Sequence, residues 1–311
     1  SVQRQENTAN PLLRLRRYQM SLSARLREQL SGPQTAGPLL ALAVGDSRWL
    51  SEQDWQRLRN FGLTHLFVIS GLHLAAVAGF VYLALGGLLR VLSALSQTRC
   101  SSETMLVTLT LLAAMGYALL SGFSLPVQRA LLGLAFVLVP KMLGRSAVGS
   151  RSFWVALLVL LCFDPLATLS ASFWMSFGAV GMILWFLHWR RQASGLTQFV
   201  SLQAYLLLAM APLSLLWFAS AAGPGAVVNL VAVPVLTLVV VPMLLLSMLT
   251  LSSPAISDAL LWLPQRIIEL LWRGMAYWEI RLPELAIAGA HITPGVAVLG
   301  LLLILLLVVP Q

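Results

Sequence analysis

The chain has 311 residues, of which 59% are hydrophobic and only 10% are charged. A soluble domain carries roughly 25% charged residues, so there is too little charge here to coat a water-facing surface. The formal net charge of +9 is almost wholly arginine, because Lys141 is the single lysine among 20 basic residues. Arginine makes forked contacts with phosphate, although genomic base composition accounts for such a bias equally well.

The first residues are polar and Ser1 is not an initiator Met, so the expectation is a segment of a longer protein. Residues 1–62 differ from the rest. Leu15, Tyr18, Leu22, Leu26 and Leu30 recur at helical spacing among Arg14, Arg16, Arg17, Arg25 and Arg27, which predicts a basic amphipathic helix lying in the headgroup region. Ser31-Gly32-Pro33 ends it. A short helical stretch follows, and Ser51-Glu52-Gln53-Asp54 has the form of a capping box opening a turn at Trp55–Arg59.

Residues 63–311 form the predicted transmembrane domain. Spanning helices need about 20 mostly apolar residues, and such runs are expected near 63–89, 104–121, 127–143, 152–163, 171–189, 199–220, 225–251 and 294–310. Residues 255–285 mix Asp258, Arg266, Glu269, Arg273, Glu279, Arg281 and Glu284 with Trp and Leu, and read as one or two interfacial helices. The expected fold is therefore an all-α polytopic bundle of about eight spans, some of them broken. Basic residues gather in alternate loops: Arg90 and Arg99, then Lys141, Arg145 and Arg151, then Arg190 and Arg191. The loops at 122–126, 164–170 and 221–224 hold no Lys or Arg. The positive-inside rule puts the basic loops in the cytoplasm and both termini outside. The arginines at 14–27 then make a basic collar on the outer face.

Four constellations interrupt the apolar pattern. His65-Leu66-Phe67-Val68-Ile69-Ser70-Gly71-Leu72-His73 puts two His, a Ser and a Gly where a span begins. Polar groups at membrane depth face a bundle interior or a water-filled cavity, which suggests lining or gating by His65, Ser70, Gly71 and His73. Packing of helices through the same small and polar residues is the alternative. On an unbroken helix the two imidazoles lie about 12 Å apart along the axis, too far to share a metal, and no metal site is expected. Next, Pro126 and Arg129 follow Ser121-Gly122. Arg129 is either a phosphate contact at a pore mouth or a snorkelling side chain. The third constellation is Asp164-Pro165 with Ser170, Ser172, Phe173, Trp174, Ser176 and Phe177. Here Phe173 and Trp174 can stack on bases or anchor the membrane interface, and Ser176 sits beside them. The fourth places Asn229 in an apolar run punctuated by Pro224, Pro234 and Pro242, a pattern of broken helix that accompanies transport paths. Cys100 and Cys162 lack metal spacing. Lys141 is followed by Met142, so no P-loop is present.

These segments resemble the membrane channel domain of ComEC-type competence proteins. That family's H-L-x-x-x-S-G-x-H is matched by His65, Leu66, Ser70, Gly71 and His73. Its L-x-x-G-D element is matched by Leu42, Gly45 and Asp46, and its P-x-x-R segment by Pro126 and Arg129. Its D-P-x-x-x-x-S-x-x-F-x-x-S-F pattern is matched by Asp164, Pro165, Ser170, Phe173, Ser176 and Phe177. Its N-L-x-x-x-P segment is matched by Asn229, Leu230 and Pro234. The resemblance implies a bacterial inner-membrane channel that imports single-stranded DNA during natural transformation, embedded in the lipid bilayer. It also implies an oligonucleotide-binding domain and a metallo-β-lactamase-like nuclease domain elsewhere in the protein, neither of which this chain contains, so no enzyme activity and no cofactor are assigned to it. A cytoplasmic ATPase motor and a periplasmic DNA receptor are expected partners. Three other readings remain: a small-molecule transporter, an intramembrane hydrolase using Ser70 with His65 or His73, for which no orienting acid is near in sequence, and a structural scaffold whose function lies in other domains.

Overall fold

The structure is a computed structural model that describes residues 11–96, 103–142, 144, 150–189, 195–218 and 223–281. It is helical, with no strand among the described residues. The expected span at 294–310, Arg99 and the basic loop residues Arg145, Arg190 and Arg191 lie outside them.

The N-terminal part folds as α1 (Pro11–Gln29), α2 (Pro33–Val44), a 3-10 turn (Ser47–Trp49), α3 (Glu52–Asn60) and the single turn α4 (Thr64–Phe67). On α1, Leu26 and Leu30 are buried while Arg16, Arg17, Arg25 and Arg27 are exposed. Tyr18, which shares the apolar spacing, is also exposed. α2 is apolar all round and sits inside the protein: every residue from Leu39 to Val44 is at most 1% exposed. It stops at Gly45, whose left-handed φ of 71° returns its N–H to Ala41. Gly37 lets the chain after α2 fold back onto it, since a Cβ there would lie 2.5 Å from the Trp49 carbonyl oxygen. The capping box on α3 forms: Ser51 N–H donates to Asp54 Oδ2 at 3.0 Å, and Asp54 N–H donates to Ser51 Oγ at 3.1 Å.

The remaining helices are α5 (Gly71–Ser96), α6 (Glu103–Leu120), α7 (Leu125–Met142), α8 (Ser150–Phe163), a second 3-10 turn (Pro165–Leu169), α9 (Ala171–Trp189) and α10 (Gly195–Phe218). Then come α11 (Gly223–Val235), a π-helical turn (Leu236–Val240), α12 (Val241–Leu249) and α13 (Pro254–Arg281). Five stretches are long and apolar enough to cross a membrane: Gly71–Ala94, Glu103–Leu120, Leu125–Met142, Ala171–His188 and Val228–Leu249. They coincide with five of the eight expected spans. α8 has only 14 residues, and the apolar stretch of α10, Thr197–Leu213, also falls short. The outward faces carry exposed leucines, such as Leu249 at 81%, as a lipid-facing surface requires. The chain is a membrane protein.

Residues 254–281 form one continuous helix despite Pro264. α13 packs on the N-terminal part. Trp272 Nε1 donates to Asp54 Oδ1 at 3.1 Å, Ser31 N–H donates to Gln265 Oε1 at 3.0 Å, and the Trp272 ring meets Phe67 edge-on at 5.4 Å. Arg57 Nε lies 3.0 and 3.1 Å from the two carboxylate oxygens of Glu279. The core is thus built from both ends of the described chain, with α2 between α12 and α13. Gly37→Ala is expected to destabilise the detergent-solubilised protein by about 1–3 kcal/mol. An unchanged melting temperature would show that the α2 turn yields.

Candidate functional site: a polar junction at one end of the bundle

The segment 64–73 is not one helix. α4 ends at Val68, which is extended with φ −101° and ψ 128°, and α5 restarts at Gly71. Ser70 precedes the restart: its carbonyl accepts the Leu74 N–H at 3.4 Å, and its N–H donates to His73 Nδ1 at 3.3 Å. His73 thereby does what the third residue of a capping box does, accepting from the N-cap backbone. Because Nδ1 accepts, the ring proton is on Nε2. That Nε2–H is buried and unpartnered among the described residues. A Ser70–His73 hydrolytic pair would need a carboxylate on that nitrogen, and a metal would need its lone pair. No cluster of three or more His, Cys, Asp or Glu among the described residues could hold a metal.

α5 and α7 run side by side in register. At one end Gly71 faces Ala130, where a Cβ on Gly71 would come within 2.8 Å of the Ala130 Cβ. Eleven residues further along both helices, Lys141 Nζ donates to Tyr82 Oη at 3.1 Å, and Tyr82 Oη donates to Glu103 Oε1 at 2.7 Å. The helices are therefore parallel, and the Ser70 end is opposite the Lys141 end. The turn joining α6 to α7 sits at the Ser70 end. It needs positive φ at Gly122 (84°) and at Phe123 (51°), a strained choice for a bulky side chain. Gln128 Nε2 secures it by donating to the Phe123 carbonyl at 2.8 Å. The α2 terminus joins the same end: a Cβ on Gly45 would lie 2.9 Å from the Ser121 carbonyl oxygen and 3.2 Å from Ile69 Cδ1.

Arg129 ties in the third constellation. Its Nη2 donates to Ser172 Oγ, the Asp164 carboxylate acts on it electrostatically, and its Nε is buried without a partner among the described residues. Ser170 starts α9 by accepting the Phe173 N–H at 3.2 Å. Phe173 is 3% exposed and lies against Phe177 at 4.9 Å and Trp174 at 5.5 Å. Trp174 is more open and donates from Nε1 to the Thr168 carbonyl at 2.7 Å. Ser176 is half-buried further along α9. From the fourth constellation, Asn229 Nδ2 donates to the Gly62 carbonyl at 3.5 Å, and the exposed His65 reaches the same carbonyl. His65, Ser70, Gly71, His73, Arg129, Ser172 and Asn229 thus meet where α2, α4, α5, α7, α9 and α11 converge.

The basic helix adjoins this end. Gln19 of α1 donates to the Val44 carbonyl and lies beside Gly122. Arg27 stacks on Trp49 at 3.8 Å, while Arg14 has partners of its own. The acidic end of the L-x-x-G-D element and two hydroxyls also appear here. Asp46 accepts from Ser23 Oγ at 2.6 Å and from Arg48 Nε and Nη2 at 2.8 Å. Ser124 Oγ and Thr237 Oγ1 are buried without partners among the described residues; Ser124 lies in the interrupted segment 121–130, whereas Thr237 stands alone among leucines and valines. An open hollow of about 410 Å³ on α8, lined by Arg151, Trp154, Val155 and Leu158, shares no residue with this junction.

A family model described as "Competence protein" matches residues 42–311. The chain belongs to the competence protein family. Among curated relatives, Recombination protein 2 of Haemophilus influenzae is 32% identical over 238 residues, covering 72% of this chain and 30% of that protein. Competence protein ComA of Neisseria gonorrhoeae is 32% identical over 281 residues, covering 88% of this chain and 38% of that protein. The E. coli protein YcaI, described as uncharacterized, is 28% identical over 247 residues, covering 76% and 32%. The chain spans about a third of the length of these relatives. No solved structure matches it. All five motif segments of this competence-family chain fall inside the matched residues.

The Asp46 contacts give a pH test. The Arg48 guanidinium, helped by Ser23 and opposed by burial, holds the Asp46 carboxyl down to about 2 from an ordinary 3.8. Since the folded value is the lower one, the stabilisation is complete above pH 4 and is lost as pH falls toward 2. At 1.36 kcal/mol per pH unit it amounts to about 2 kcal/mol. Asp46→Asn is expected to lower stability at pH 7 by that order and to flatten the pH 4-to-2 limb of the melting curve. An unchanged acid limb would show that Asp46 does not report on this contact.

Proposed function

We propose that this chain is the membrane conduit through which single-stranded DNA is imported across a bacterial inner membrane during natural transformation. One observation carries the reading: polar segments scattered from residue 45 to residue 229 converge at one end of an otherwise apolar bundle, with Arg129 at their junction. The relatives' names, Recombination protein 2 and Competence protein ComA, support the same process. Arg129 is the phosphate contact at the mouth, and the arginines of α1 attract the polyanion toward it. His65, Ser70, Gly71, His73 and Asn229 shape the mouth, with Trp174 and Ser176 at its α9 side and Phe173 behind them as packing. The junction faces outward and the Lys141 end faces the cytoplasm, with both termini outside.

The chain itself performs no catalysis in this reading. A nuclease domain, an oligonucleotide-binding domain and a periplasmic DNA receptor belong to the larger assembly. Import moves one negative charge inward per nucleotide. Against an inside-negative potential that costs about 2.3 kcal/mol per charge per 100 mV, and the chain carries no P-loop. A cytoplasmic ATPase motor therefore supplies the pull.

Replacing Arg129 with Ala is expected to lower transformation at least about tenfold, the equivalent of losing 1.4 kcal/mol at one contact, with membrane insertion and protein level unchanged. Wild-type uptake by this variant would remove Arg129 from the path.

A further inference from the structure

Five buried side-chain atoms have no hydrogen-bond partner among the described residues: His73 Nε2, Ser124 Oγ, Arg129 Nε, Asn229 Oδ1 and Thr237 Oγ1. Three of them, His73, Asn229 and Thr237, lie on α5, α11 and the π turn that continues α11. α5 carries His73 and packs against the π turn that carries Thr237. Asn229 lies about two helical turns before Thr237. Asn229 Nδ2 donates to the Gly62 carbonyl three residues before His65, and His65 interacts electrostatically with His73. His73 is fully buried and Thr237 is 2% exposed.

The three groups are chemically complementary. His73 offers an N–H, Asn229 offers an amide oxygen, and Thr237 offers a hydroxyl that can donate or accept. Each orphaned group costs about 1–3 kcal/mol when buried without a partner. Apolar residues of the same shape would seal this contact without that cost, so a permanently dry interface does not explain them.

The backbone on one side of the contact is built to give. Pro234 and Pro242 flank the π turn and bring no N–H to the helical ladder. Between them the hydrogen bonding widens, with Val241 N–H donating to the Leu236 carbonyl five residues back. π turns of this kind recur at functional sites. Bending here breaks fewer bonds than bending an intact helix.

We propose that the seam between α5 and the α11–π–α12 segment opens as a solvated polar slit within a single chain, and that the DNA strand passes through it. This rests on the DNA-import reading and adds the route, with Thr237 and Asn229 on one wall and His73 on the other. Arg129 and Ser124 stand where α5 meets α7, at the mouth. The slit walls are neutral donors and acceptors, which serve phosphates and bases alike and so fit a strand of any sequence.

The test is cysteine labelling of the full-length protein in membranes, in a background with Cys100 and Cys162 replaced by Ser. Thr237→Cys and Asn229→Cys are expected to react with a charged, membrane-impermeant thiosulfonate. Leu238→Cys, on the lipid-facing side, is expected to stay unreactive, and the exposed Gln53→Cys reports intact reagent. An oligodeoxythymidylate is expected to slow labelling at 229 and 237 at least about tenfold, matching occupancy above nine-tenths. No labelling at 229 and 237 while Gln53→Cys reacts would overturn the proposal. So would labelling that the oligonucleotide does not slow, since the strand would then run elsewhere. Thr237→Val keeps the shape and removes the hydroxyl; it is expected to keep or raise thermal stability while lowering import several-fold, whereas unchanged import would overturn the role of the hydroxyl. Labelling is read without import, so its failure is distinguishable from failure of the DNA-import reading, which the Arg129→Ala transformation assay addresses.

Discussion

A helix that breaks inside an apolar bundle releases backbone groups that lipid cannot satisfy. Here the break falls at Val68–Ser70, and the Ser70 N–H goes to His73 one turn into the new helix. Much else depends on that bond. It sets where α5 starts and therefore which of its residues faces α7. It leaves α4 free as a separate turn, so Phe67 can meet Trp272 and Ile69 can lie against the end of α2. Had the helix continued unbroken, neither Phe67 nor Ile69 would point into the N-terminal core.

With α5 so placed, small residues settle the remaining approaches. Gly71 brings α5 onto α7, Gly45 brings α2 onto the α6–α7 turn, and Gly37 folds the chain back over α2. These contacts carry Arg129 to the start of α9, where Ser172 and the field of Asp164 receive it. An arginine at membrane depth is costly without partners. The same arrangement leaves Arg129 Nε without a partner among the described residues, which fits the anion contact proposed for it.

The sequence carried the membrane class, the helical content and the junction's main residues because each rests on local chemistry. Low charge and long apolar runs follow from composition, and the capping box at Ser51–Asp54 follows from spacing. The interruptions at Ser70-Gly71 and Pro126 break the apolar period visibly. Less legible was anything set by tertiary contact. α2 was expected only as a short helical stretch, yet it lies buried among helices from both ends of the described chain. Tyr18 shares the apolar spacing of α1 yet is exposed. The fourth expected span is short, and the 14 residues of α8 reach about 21 Å at 1.5 Å each. Thr237 was invisible, since one hydroxyl among valines and leucines gains meaning only once the helix is seen to widen around it.

The distribution of charge through the bundle argues for how a strand would be handled. Basic side chains stand at both ends, those of α1 and Arg129 at the junction and Lys141 at the far end, while the seam between presents an amide, a hydroxyl and an imidazole N–H. A conduit must bind well enough to admit its cargo and weakly enough to release it. Arginines along the whole path would hold each phosphate by charge, and every step inward would have to break such a contact in a medium of low dielectric constant. Neutral groups exchange hydrogen bonds with the moving strand at little net cost. In the proposed conduit, attraction at the mouth and neutral walls would leave the direction of travel to whatever pulls from the far side.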